Sequence, residues 1–182
     1  MALIAPDGGG KTTLARLLQE STPLTVKVIY MGLYRPPSSG RTALHVPGPG
    51  LVFRLLRAWA RYGLGRFHRA LGRIVVFDRY TYDALLTPPE QLNALGRGHR
   101  YLLGNACPAP DLTILLDVDP QILRSRKDEH GLHDLAEQRQ RFLDLAGRRP
   151  EIVVVDASRP LEEVNRDVTA LVWSAYRGRE SS

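Results

Sequence analysis

Ala5-Pro6-Asp7-Gly8-Gly9-Gly10-Lys11-Thr12-Thr13 is the stretch that decides the fold. The short apolar run Met1–Ile4 precedes it, and the helix-like stretch Lys11–Gln19 follows. It is therefore read as a loop joining a strand to a helix. The pattern it fits is Gly-x-x-x-x-Gly-Lys-Ser/Thr, with Ala5 standing at the first glycine. Each residue type answers to the chemistry of holding phosphate. Gly8, Gly9 and Gly10 let the backbone curl until its N–H groups face an anion. The helix opening at Lys11 directs the positive end of its dipole to the same point. Lys11 adds a mobile charge for the β- and γ-phosphates, and the Thr12 hydroxyl, with Thr13 beside it, suits Mg2+. These residues predict nucleotide binding, with ATP and Mg2+ as cofactors.

Outward from the loop, five short apolar runs read as strands: Met1–Ile4, Thr25–Met31, Arg73–Phe77, Leu112–Asp117 and Glu151–Val155. Ile74–Phe77 and Ile152–Val155 are continuous rather than alternating, which suits strands buried on both faces of a parallel sheet. Helix-like stretches lie between them: Lys11–Gln19, Leu51–Leu71, Pro120–Arg126, Asp134–Ala146 and Pro160–Tyr176. Gly63 and Gly65 are expected to interrupt the second. Alternating strand and helix predicts an α/β fold with a parallel sheet. The length of 182 residues fits one domain. Gly32 to Gly50 reads as a long, Pro- and Gly-rich loop, functional or mobile, on the acceptor side.

Composition bounds the setting. Cys107 is the single cysteine, which excludes a disulfide framework and a multi-cysteine zinc site and fits a reducing cytoplasm. No apolar run approaches the ~20 residues of a membrane span. The net charge is +6, yet the 57 residues between Glu20 and Asp78 hold no acid and nine basic residues, so the rest of the chain carries −3. Such asymmetry predicts an anionic partner.

The motifs resemble the thymidylate kinase family of P-loop nucleotide kinases, in order along the chain. Pro6–Thr13 resembles its phosphate loop, and Val76-Phe77-Asp78-Arg79-Tyr80 resembles its Asp-Arg-Tyr motif at the end of the third strand. Pro110–Pro120 resembles the fourth strand and the turn after it, and Arg126 falls where the family begins its lid. Arg139-Gln140-Arg141-Phe142-Leu143 resembles the helix after the lid. Val155-Asp156-Ala157-Ser158-Arg159-Pro160 resembles the adenine-side loop. The resemblance implies a P-loop kinase three-layer sandwich, with a five-stranded parallel sheet, helices on both faces and a lid over about 126–138. It also implies an ATP- and Mg2+-dependent phosphotransferase acting on a nucleoside monophosphate or similar anionic acceptor, and a possible homodimer. Two stretches depart from the family. Tyr30–Pro37 replaces its Arg-Glu-Pro-Gly-Gly-Thr segment, and Thr81–Leu86 lacks the glutamine that reads thymine.

Residue roles follow. Asp7 lies where the family holds the acceptor's sugar hydroxyl; a turn aspartate is the alternative. Asp78 ends a strand at the sheet edge where ligands bind, placed to order Mg2+-bound water or Lys11. Arg79 is expected to face the acceptor's anionic group. Ungapped spacing back from Asp78 puts Arg57 at the acceptor-phosphate position, with Arg54 and Arg61 one turn either side. Arg126 and Arg139 are candidates for the donor phosphates on lid closure, and Ala157, Ser158 and Arg159 for the adenine side. Two other classes stay open. One is a kinase of a small hydroxyl compound such as a sugar or antibiotic. The other, suggested by the basic helix Leu51–Tyr62, is a membrane-surface or nucleic-acid-binding protein.

Overall fold

The computed structural model describes residues 1–33, 49–126 and 132–180. Five strands form one parallel sheet in the order β2-β3-β1-β4-β5. They are β1 (Ala2–Ile4), β2 (Val26–Tyr30), β3 (Ile74–Asp78), β4 (Thr113–Asp117) and β5 (Ile152–Asp156). β1 has three residues, all fully buried, and pairs with both β3 and β4. It is thus the central strand, and the loop leaving it stands mid-edge, where open α/β sheets bind ligands.

Side chains alternate between two cores. Leu3, Ile114 and Leu116 point into one with Leu14, Ala15 and Leu18 of α1 (Lys11–Ser21) and Val164, Val168 and Val172 of α6 (Leu161–Glu180). The i, i+4, i+8 spacing of those valines lays one stripe of α6 on the sheet. Ala2, Ile4 and Leu115 point into the other, with Ala58 of α2 (Pro49–Ala70), Leu103 of α3 (Ala94–Gly104), and Phe142 and Leu145 of α5 (Leu132–Arg148). Each fully buried leucine or valine contributes about 1.5–3 kcal/mol. The result is three layers with helices on both faces. A further short helix, α4 (Pro120–Arg126), follows β4. Among the described residues no helix is long and apolar enough to cross a membrane.

Three expectations are corrected. β5 is an edge strand rather than one buried on both faces, and Val154 is 45% exposed. α2 runs unbroken through Gly63 and Gly65, because Gly65 is needed for packing rather than for a break: a Cβ there would stand 2.5 Å from Phe77 Cζ. The Phe77 ring is itself stacked on Tyr62 and tilted against Tyr80, so it has nowhere to move. α3 has no counterpart among the expected helices; Gly96 and Gly98 lower its helix propensity, although its apolar residues keep the helical period. It starts where Asn93 Oδ1 accepts from the Gly96 N–H at 2.7 Å. The stretches 34–48 and 127–131, covering most of the Gly32–Gly50 loop and the front of the lid, lie outside the described residues.

The two glycines of α2 separate packing from propensity. Gly65→Val destabilises the protein by about 1–3 kcal/mol through overpacking. Gly63→Ala, whose Cβ meets nothing within 4 Å, stabilises it by up to about 1 kcal/mol. Urea unfolding of both variants measures this, and equal effects would discount the Phe77 contact.

Candidate active site

The loop after β1 is built as phosphate chemistry requires. Gly8 and Gly10 take left-handed conformations, φ 83° and 82°, and Gly10 caps the start of α1. Gly9 has no room for a side chain: its Cβ would lie 2.8 Å from Ala5 Cβ. Lys11 is buried, 8% exposed, and its Nζ donates to the carbonyls of Ala5 at 2.8 Å and Pro6 at 2.9 Å. Burial and then the neighbouring Arg79 charge draw its pKa down to about 8. An anion arriving at the loop would favour the charged form. Thr12 and Thr13 are exposed on the first turn of α1.

β3 delivers the second half of the site. Asp78, its last residue, is in register with Leu3 of β1 and Tyr30 of β2. Its Oδ1 is buried without a hydrogen-bond partner among the described residues. An orphaned carboxylate oxygen beside the phosphate loop fits the outer sphere of a divalent cation, and the exposed Thr12 hydroxyl fits its inner sphere. Arg79 then turns the chain with φ 66°, the one described non-glycine residue in the left-handed region. Its N–H donates to the Leu3 carbonyl at 2.9 Å. Its guanidinium lies between two carboxylates, donating to Asp83 Oδ2 at 3.0 Å and to Asp7 Oδ1. Burial opposes the Arg79 charge, but Asp83 and Asp7 outweigh it and hold the group above the ordinary arginine range. Burial pushes Asp83 upward, with Arg79 pulling the other way. The expected Asp7, Lys11, Asp78 and Arg79 are thus brought together.

A second cluster stands beside it, past the end of β2. Arg57 Nη2 and Arg61 Nη1 of α2 both donate to the Gly32 carbonyl, at 3.3 and 3.2 Å. Arg61 lies over the Tyr30 ring, 5.5 Å from its centroid. The Tyr30 hydroxyl folds against Gly32, where a Cβ would meet it at 2.2 Å.

The remaining candidates are dispersed around the same strand edge. Arg139 of α5 forms a two-pronged pair with Asp117 at the end of β4, at 2.6 and 2.7 Å. Arg126 ends α4, and its side chain lies outside the described residues. Ala157 donates its N–H to the Asp117 carbonyl at 2.7 Å, and the Ser158 hydroxyl accepts from the Asp119 N–H at 3.0 Å. Arg159 turns toward α6, donating to Asp167 at 2.6 Å. Asp83 and Arg61 carry no role in the sequence reading. The i, i+4 spacing of Arg79 and Asp83 is the one signal that could have found the former.

Lys11 leaves a mark on stability. Its pKa is about 8 when folded against 10.5 for the free side chain. Between these values the unfolded chain binds the extra proton, so this contribution to stability rises as pH rises from 8 to 10.5. The wild-type protein should therefore gain stability relative to Lys11→Met over that window, by on the order of 3 kcal/mol. Urea unfolding of both proteins at pH 7.5, 9 and 10.5 tests it. A constant difference would mean that Lys11 is not desolvated.

The sequence pattern of the family described as thymidylate kinase matches residues 51–168. A probable thymidylate kinase of Pyrobaculum aerophilum is 28% identical over 208 residues, covering 97% of each chain. Another, of Methanosarcina mazei, is 30% identical over 186 residues, covering 89% of each. A thymidylate kinase of Shewanella amazonensis is 34% identical over 140 residues, covering 69% of this chain and 65% of its own. The glycine loop with its buried lysine, the Asp-Arg pair ending β3 and these likenesses agree: the chain belongs to the thymidylate kinase family and is a nucleotide kinase.

Proposed function

We propose that the protein is an ATP- and Mg2+-dependent kinase that transfers a phosphoryl group to a nucleoside monophosphate in the cytoplasm. The observation that carries this is Lys11, buried at the head of a glycine loop, with the orphaned Asp78 Oδ1 on the adjoining strand. Phosphoryl transfer needs positioning and charge neutralisation more than covalent chemistry. A magnesium ion, when bound, neutralises phosphate oxygens; Thr12 and Asp78 would hold it. Lys11 and the loop N–H groups stabilise charge on the transferring phosphate. Ala157, Ser158 and Arg159 take the adenine side. Arg126 and Arg139 bear on the donor phosphates once the lid segment closes, Arg139 leaving Asp117 to do so. On the acceptor side Arg57 attracts the monophosphate; Arg79 joins it by giving up its bond to Asp7, which then accepts from the sugar hydroxyl.

The acceptor base is a separate question. The relatives named above are thymidylate kinases. In this chain Thr81, Tyr82 and Ala84, in the 3-10 turn Thr81–Leu86, are buried. Thr81 donates to the Gly104 carbonyl and Tyr82 to Glu151, so neither is directed at a base. That supports an acceptor specificity different from thymine. Lys11→Ala should lower turnover about 100-fold or more while remaining folded. A panel of nucleoside monophosphates at saturating ATP should then rank thymidine monophosphate below the best acceptor in kcat/KM. Preference for thymidine monophosphate by a wide margin would overturn the specificity, and preference for a neutral sugar would overturn the monophosphate reading.

We further propose a homodimer through α2. Val52, Phe53, Leu56, Trp59, Leu64 and Phe67 form an exposed stripe along that helix, each 46–65% accessible. An exposed apolar patch of this kind marks an interaction surface. Light scattering should give twice the chain mass, and Phe53→Glu with Phe67→Glu should return it to the monomer; a monomeric wild type would reject the interface.

A further inference from the structure

Two guanidinium groups converge on the carbonyl of Gly32, from Arg57 at 3.3 Å and Arg61 at 3.2 Å. A carbonyl can accept from both, but it carries no charge to offset theirs. Neither arginine has a carboxylate partner among the described residues. The contrast with Arg79, set between Asp7 and Asp83, is sharp. Arg79's charge is balanced from within the protein, whereas the charge of the Arg57–Arg61 pair is not. Burial and the adjacent Arg57 also draw the Arg61 pKa below its ordinary value, the direction expected of a cation crowded by another.

The pair is also preorganised. Arg61 is held at one end by the Gly32 carbonyl and along its face by the Tyr30 ring. Tyr30 is pinned in turn against Gly32, which has no side chain to displace it. Tyr30 is in register with Asp78, and Asp78 with Leu3 of β1, so the cluster stands at the same strand edge as the loop that holds Lys11, with the end of β3 between them. Each guanidinium has five N–H donors and gives the Gly32 carbonyl only one bond. The unused donors match an oxyanion with several oxygens, and planar two-pronged contacts to phosphate are what arginine makes best.

We propose that Arg61 is a second anion-binding residue of the acceptor site, paired with Arg57 across the Gly32 carbonyl to hold a dianionic phosphate. This rests on the reading of the chain as a monophosphate kinase and adds to it a specificity residue. Phosphate carries close to two negative charges at neutral pH, so the dianion offsets both guanidinium charges. A neutral acceptor would leave both cations uncompensated and be rejected for that reason.

Two measurements test the proposal. The first is steady-state kinetics with the best nucleoside monophosphate. Arg61→Gln should raise the acceptor KM about tenfold, with kcat and the ATP KM within about twofold, and Arg61→Lys should recover part of the loss. An unchanged acceptor KM in Arg61→Gln, alongside a raised one in Arg57→Gln, would remove Arg61 and leave the monophosphate-kinase reading intact. The second needs no turnover: phenylglyoxal labelling of the wild-type protein, located by mass spectrometry, with and without inorganic phosphate. Phosphate should slow labelling of Arg61 and Arg57 together, at least severalfold. Labelling of Arg61 indifferent to phosphate would overturn the proposal. If no monophosphate is turned over at all, the functional reading fails, and the protection experiment still decides whether this pair binds a dianion.

Discussion

The arrangement of the site depends on the Asp7–Arg79–Asp83 chain. Asp7 belongs to the loop after β1 and Asp83 to the 3-10 turn after β3, and one guanidinium joins them. Arg79 reaches both because its backbone is left-handed, which turns the chain at the strand end while its N–H still bonds to Leu3 of β1. Such a conformation costs on the order of 1–3 kcal/mol and persists only where surroundings over-determine it. Asp83 is well buried and would resist ionisation without Arg79. Removing Arg79 would leave Asp83 uncompensated in a poorly solvated place, at a cost of about 3–5 kcal/mol. Loop, strand end and turn are therefore held as one unit.

That unit also sets the electrostatics around Lys11. The lysine is desolvated and faces Arg79, both of which disfavour its charge, while Asp7, Asp83 and Asp78 favour it. The carboxylates keep a buried cation tolerable at neutral pH, and an incoming phosphate relieves the remaining cost. At the phosphate loop itself, Lys11 and the head of α1 present positive charge where water is scarce, which suits that point to hold phosphate.

The acid-free segment reads as one basic block, but the fold divides it. α2 runs along β2 and β3, from their last residues back toward their first. Toward one end, Arg57 and Arg61 meet the Gly32 carbonyl past the end of β2, at the strand edge that carries the phosphate loop. Near its end, Arg69 pairs with Asp111 at 3.2 Å. Arg73, before β3 and so at the opposite sheet edge, meets the His68 ring at 3.0 Å. Among the described residues these basic charges therefore do not form a single face, and the Arg57–Arg61 pair is the part of them that stands at the strand ends. The apolar stripe of the same helix points elsewhere, so one element serves two surfaces.

Much of this was legible in the residues themselves. A glycine loop followed by Lys-Thr is a local instruction, since backbone freedom, a helix N-terminus and a charge are all fixed within nine neighbours. The apolar runs located all five strands: the central ones because a strand buried in a parallel sheet has to be apolar along its length, and the edge strands β2 and β5 because one face of each still packs on the core. α3 escaped because two glycines lower its helix propensity and most of its surface is exposed. The edge position of β5 escaped because strand order is a property of the whole sheet, and Ile152–Val155 is as apolar as a central strand. The partnerships of the site were equally out of reach. Arg79 and Asp7 are 72 residues apart, and Arg61 and Gly32 are 29. Sequence determined which groups the site would contain, since their chemistry is intrinsic to the side chains. Tertiary structure alone decided which charges cancel within the protein and which are left for a ligand, because that depends on distance and burial between segments that meet only when the sheet closes.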